Sequence, residues 1–353
     1  MKKITTIFLL FLAVNSFAQD AVKPVVSFAG FVDTYYMYDF NSPGGNSKSH
    51  PFTQPSRHNE FNINLALIEA KLSGENVRGR LALHTGTSVQ ANYAAEQNNR
   101  ELSQLIAEAS AGYQVVNGLW IDAGIYPAPY GFESWISRDN KTYTRSIVAD
   151  YSPYYQTGVK LSWQASNEFS AGVNIINGWQ NISETNSDKA FGITLGYAPS
   201  SSISFMYNNF IGNEMPDSVE AATRFYNNLC TRISASDAFQ IDVTTDYGMQ
   251  NVAGESQSWM GAALIGRYIF SNKLSASLRG EYYKDEHQII LVTGTPNGFD
   301  GIGASLNFDV AFMPQLLWRS EVRILSANDA VFPSEDGFID HTGFVVTSLA
   351  LTL

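Results

Sequence analysis

The chain has 353 residues, with 22 Lys and Arg against 33 Asp and Glu, for a formal net charge of −11. A chain this acidic, without clustered Lys and Arg, is unsuited to nucleic acid, and a single cysteine, Cys230, excludes an internal disulfide framework. Beyond the N-terminal segment no run reaches about 18 apolar residues, which excludes a transmembrane helix there.

The first 20 residues, MKKITTIFLLFLAVNSFAQD, carry the parts of an export signal. Lys2 and Lys3 are the charged start, Ile4 to Val14 the apolar run, and Ser16-Phe17-Ala18 a small-x-small cleavage site. The reading is a cleaved signal peptide over 1–18 and one domain over 19–353, since no linker or composition break divides the remainder.

From there, segments with a period of two follow one another, which predicts strands with two unlike faces. In chain order they are 24–40, 59–72, 77–84, 105–116, 119–126, 154–163, 168–176, 190–197, 202–208, 222–233, 239–247, 260–270, 273–283, a pair within 303–325, and 344–353. That makes about 16 strands, rich in Val, Ile, Thr, Tyr and Phe. The phase is ambiguous around Leu65 to Leu72, where a bulge would resolve it, and 101–110 also reads as a short helix.

Seven connections are tight, near 73–76, 116–118, 165–168, 198–201, 234–237, 271–273 and 313–315, with Gly, Pro, Asn and Ser of hairpin type. The other eight are longer and polar, among them 41–58, 89–103, 128–153, 179–188, 212–220, 286–298 and 326–340. Short and long strictly alternate, as in an up-and-down antiparallel meander.

The stretch GASLNFDVAFMPQLLWRSEVRIL shows the two faces. Leu306, Phe308, Val310 and Trp318 fall on one side; Asp309, Arg319, Glu321 and Arg323 fall on the other. Along the chain the second face carries Arg78, Arg80, Asp122, Lys160, Arg224, Arg232, Asp242, Asp246, Arg267, Arg279 and Glu281. Charges are almost never buried without partners, so this face is expected to meet water. The apolar face is too extensive to leave in water. Alternating strands with short turns on one rim and long loops on the other predict a closed transmembrane β-barrel, apolar side to outer-membrane lipid and charges lining the lumen. About 16 strands leave room for an aqueous channel. Aromatics near segment ends (Tyr35, Tyr36, Tyr38, Phe40, Trp120, Trp179, Tyr247) fit interfacial girdles.

Two stretches resemble a known family. AGIYPAPYGFE (123–133), opening the longest loop, resembles the Ala-Gly-x-x-x-x-Pro-x-Gly-x-Glu element of the outer-membrane porins called OmpL-like. SPYYQTGVKLSW (152–163) resembles the matching re-entry segment, and FAGFVDTYYMYDFN (28–41) the first strand. The resemblance implies a barrel of the Gram-negative outer membrane that passes small hydrophilic solutes or ions, with a homo-trimer as one arrangement such barrels take. One departure is the C-terminus, LALTL, where barrels of this kind often end in an aromatic.

The third long loop, 128–153, holds Glu133, Arg138, Asp139, Lys141, Arg145 and Asp150 among aromatics. By analogy with porins at large it is the candidate constriction, where opposed charges would rank solutes. Nine basic and six acidic residues on the lumen face predict a mild anion preference. Catalysis, metal and cofactor find no support: His50, His58, His84, His287 and His341 lack ligand spacing, and nucleophile, Walker and dinucleotide motifs are absent. The alternative reading is a structural or adhesive barrel with a blocked lumen and partner-binding loops.

Overall fold

The computed structural model describes residues 23–47, 54–96 and 103–353. The export signal over 1–18, His50, and the start of the 101–110 segment lie outside them.

The strands are β1 (Val25–Asp39), β2 (Glu60–Ser73), β3 (Val77–Thr85), β4 (Ile106–Val116), β5 (Leu119–Pro127) and β6 (Tyr155–Gln164). They continue as β7 (Phe169–Ile176), β8 (Ala190–Ser200), β9 (Ile203–Asn213), β10 (Thr223–Ser234), β11 (Phe239–Val252) and β12 (Glu255–Ile269). Last come β13 (Leu274–Asp285), β14 (Phe299–Met313), β15 (Leu316–Ala327), β16 (Phe332–Ser334), β17 (Gly337–Ile339) and β18 (His341–Thr352). All but β16 and β17 pair antiparallel with their chain neighbours, and β1 closes on β18, giving a barrel of 16 strands. Closure leaves no unpaired edge, which hydrocarbon would penalise by several kcal/mol per orphaned group.

Each segment with a period of two became a strand, and four departures have local causes. The bulge sits at Asn64, where the β1–β2 register shifts between Asp33 and Thr34; the Asn64 side chain turns inward and donates to Asp33 Oδ2 at 2.9 Å. One of the eight expected long connections is not a loop. β11 and β12 run on past Tyr247 and Met260 to a two-residue turn at Ala253-Gly254, both with positive φ. In the loop after β3 a helix, α1 (Thr87–Asn92), forms, whereas 106–110 is strand rather than helix. The hairpin β16–β17, within the last long loop, carried no alternation long enough to predict.

The outer face is the apolar one: Leu306, Phe308, Val322 and Ile324 are 44%, 43%, 47% and 59% exposed. Aromatics divide differently from the girdle reading. Tyr36, Tyr38, Phe40 and Tyr247 do lie on the outside or at its rim. Tyr35 is buried within, Trp120 lies under the Arg78 guanidinium, and Trp179 packs edge-on against Phe210, Tyr226 and Trp259. Tyr35, Trp179, Phe210, Tyr226 and Trp259 join Tyr130, Tyr283 and Phe299 in an apolar cluster inside the barrel, toward the long-loop rim. Infolded loops explain it: segments packed within a barrel bury apolar surface there.

Candidate functional site

The loop between β5 and β6 leaves the wall shortly after a glycine of β5. Gly124 has φ +131°, and a Cβ on it would lie 2.1 Å from the Ala109 carbonyl oxygen. Only glycine fits this close approach of the β4 backbone, three residues before the loop's departure at Pro127. The loop then turns inside the barrel and runs down its depth. Arg138 donates to the carbonyls of Pro314 and Gln315, the latter at 3.0 Å, in the tight β14–β15 turn on the far rim. A single helical turn, α2 (Ile147–Asp150), capped by the Ser146 hydroxyl, brings it back.

A polar loop in this position must satisfy its backbone groups, and the wall of β13, β14 and β15 supplies the partners. Glu321 accepts from the Thr144 amide at 2.6 Å and hydroxyl at 2.8 Å. Glu281 accepts from the Ile147 amide at 2.8 Å, and Asn307 from the Tyr143 amide at 3.1 Å. Arg279 donates to the Thr144 carbonyl at 2.6 Å, Arg323 to the Arg145 carbonyl at 3.0 Å, and Arg319 to the Asn140 carbonyl at 3.0 Å and to that of Ser137. The side chains neutralise one another as well: Arg323 pairs with Glu281 at 2.7 Å, Arg279 with Glu321 at 3.0 Å, and Arg319 with Asp309 at 2.7 Å.

The inward pointing of these residues agrees with the sequence reading, but their meeting water does not. Arg279, Arg319, Glu321 and Arg323 are 0% exposed. They are desolvated by the loop, and partners on every side make that tolerable.

The other predicted residues fall into two groups. Around the loop, Asp242 is shared by Lys141 at 2.7 Å and Arg232 at 3.0 Å, and Arg267 reaches Asp309 at 3.3 Å. Arg224 donates to Gln250 at 2.8 Å beside Trp179, and Asp246 accepts from Tyr226 and Asn228. Within the loop, Glu133 accepts from the Ser146 amide and hydroxyl, and Arg145 lies over the Tyr154 ring and 3.9 Å from Asp150. Burial lowers the Lys141 ammonium, which the Asp242 carboxylate partly offsets.

Across the barrel, β3 to β8 form a wall outside this latch, which the loop meets only toward the long-loop end, with Trp135 5.6 Å from the His84 ring and Tyr130 accepting from Gln156. One inward row runs Arg78, Gly112, Asp122, Lys160, Asn174, Gly192 on successive strands. Arg78 grips Asp122 with two nitrogens across Gly112, where a Cβ would sit 2.2 Å from the Asp122 carboxylate. Arg80 is held between Glu69 and Glu108. Neither glutamate was read from the sequence: Glu69 lies in the segment whose phase the bulge obscured, and Glu108 in the one that also read as helix. With Asp33, Asp39 and Asp285 also buried inward, the expected excess of basic charge in the lumen is offset.

Solved structures with this fold are outer-membrane barrels. The anion-selective porin from Comamonas acidovorans is 10% identical with a TM-score of 0.62, over 94% of this chain and 100% of that one. The outer-membrane channel DcaP of Acinetobacter baumannii is 12% identical with a TM-score of 0.61, over 94% and 97%. OmpT of Vibrio cholerae in its trimer form is 10% identical with a TM-score of 0.56, over 94% and 99%. No curated protein matches the sequence significantly. Residues 25–353 match the family described as "Putative beta-barrel porin-2, OmpL-like". The chain belongs to that family, and it is an outer-membrane porin.

Proposed function

We propose that this porin is a passive diffusion channel for small hydrophilic solutes or ions, in which residues 128–153 form the constriction. The observation that carries the reading is the asymmetry of the inner wall. The loop is latched to β13–β15, while the row from Arg78 to Gly192 faces space the latch does not fill. Solutes would pass between the loop and that wall, so Arg78, Arg80, Asp122 and Lys160 line the path, and Arg279, Glu281, Arg319, Glu321 and Arg323 narrow it by holding the loop. Arg224, Arg232, Asp242 and Arg267 stand between the two groups, and Asp309 on β14 belongs to the latch through Arg319. Selectivity in such a path follows from its width and from the charges left free along it.

The proposal includes export by a cleaved signal over 1–18, short turns toward the periplasm and a homo-trimer, as in the OmpT trimer form. It includes no catalytic role, because function is argued from a site and the residues placed along the path above are ion pairs, amides and glycines. The decisive experiment is reconstitution into a planar bilayer. Stable single-channel steps in KCl support the diffusion channel; a silent, correctly folded barrel overturns it in favour of the blocked-lumen reading, which the loop's reach to Pro314 would then explain.

A further inference from the structure

On the wall outside the latch a cavity of about 400 Å³ lies between mid-barrel and the short-turn rim, lined among others by Arg78, Trp120, Tyr126, Pro129, Lys160 and Asn174. Its charge arrangement differs from the rest of the lumen. Among the described strand residues the other inward-facing Lys and Arg each have a carboxylate within 4.0 Å; Lys160 has none. The neighbouring Asp122 is taken by Arg78, which uses Nε and Nη2 for it and for Ser162. The Lys160 ammonium instead rests 4.3 Å from the centre of the Tyr126 ring, a contact that leaves its remaining donors open. One net positive charge therefore faces this space.

The rest of the lining is neutral and rich in hydrogen-bonding groups. Ser162, Gln164, Ser170, Asn174 and Thr194 surround the charge, with Trp120 and Pro129 as apolar surface. A dense inorganic anion would use the charge and waste the amides and hydroxyls. A hydroxylated organic acid would use both, and a cavity of this size falls in the range that holds small organic ligands.

We infer that this cavity is a binding subsite for small hydroxylated monocarboxylates of the sugar-acid class, with Lys160 taking the carboxylate and the neutral side chains the hydroxyls. The inference rests on the diffusion-channel reading and names the solute class of that same path. A site of this kind slows its solute briefly, so the solute's current saturates and the KCl current is blocked as concentration rises.

The test uses the full mature chain in a planar bilayer, with gluconate as probe. KCl steps come first: their absence overturns the channel reading itself, before any probe is added. Given steps, gluconate is expected to block with saturation, at an apparent Kd about tenfold below that of propionate or inorganic phosphate. Lys160→Gln is expected to weaken gluconate block about tenfold with the KCl step size kept, and Lys160→Arg to restore it. Linear, non-saturating gluconate effects, equal block by propionate or phosphate, or undiminished block in Lys160→Gln would each overturn the inference.

Discussion

The latch between the infolded loop and the wall makes a quantitative prediction at Glu321. Its carboxylate takes three hydrogen bonds, from the Thr144 amide, the Thr144 hydroxyl and Arg279 Nη2, and is 0% exposed. Glu321→Ala removes all three. Hydrogen bonds to a charged group contribute about 1.5–3 kcal/mol each; the lower figure is apt because Arg279 keeps Glu281 at 3.4 Å. Only the two Thr144 bonds join loop to wall, so the docked loop is then destabilised by roughly 3 kcal/mol, on the order of a hundredfold in the docked-to-undocked ratio. The barrel keeps its closed ladder, so the variant should still fold and migrate as a heat-modifiable band. In a planar bilayer its channels should show larger and noisier steps than wild type as the loop leaves the wall. A folded Glu321→Ala barrel with wild-type step size and noise would refute the idea that this latch sets the width of the path.

Gly112→Val places a Cβ 2.2 Å from the Asp122 carboxylate and 3.0 Å from Arg78 Cγ. It should destabilise the barrel by about 1–3 kcal/mol, read as a lowered urea midpoint in lipid. Leu306→Arg, on the outer face in the middle of β14, should cost about 2–4 kcal/mol in the same titration. Phe338→Arg, on the hairpin of the last long loop, should change it by less than about 0.5 kcal/mol; equal effects would contradict the lipid-facing assignment.

The strands were legible because a period of two survives any tertiary context: a side chain placed at every second position shares a face whatever lies opposite it. Registers failed where a single extra residue intervened, as at Asn64, and Glu69 was lost with them. Loop lengths were legible only where turn residues crowd between strands. The 248–259 stretch has Gly248 and Gly254, yet it continues two strands, because Ala253-Gly254 alone provides the turn. What the pattern could not give was occupancy. Alternation says that Arg319 and Arg323 face inward; it is silent on whether water or a loop distant in sequence meets them there.

The residue types nevertheless mark the difference. A chain segment lodged inside a barrel exposes both amides and carbonyls, and these want opposite partners. Arginine offers five donors in a fixed fork and glutamate two acceptor oxygens, so an Arg–Glu–Arg run on alternate positions suits backbone of either polarity. Arg319, Glu321 and Arg323 on β15 and Arg279 and Glu281 on β13 form such a template, and each is consumed by the loop. A wall meant for passing solutes has different needs: room, and charges not all cancelled. There the row reads Gly112, Lys160, Asn174, Gly192, with one ion pair and one ammonium that rests on a ring rather than a carboxylate. Dense, alternating charge on adjacent strands thus points to where the barrel holds its own chain, and dilute charge among glycines and amides to where it admits something else.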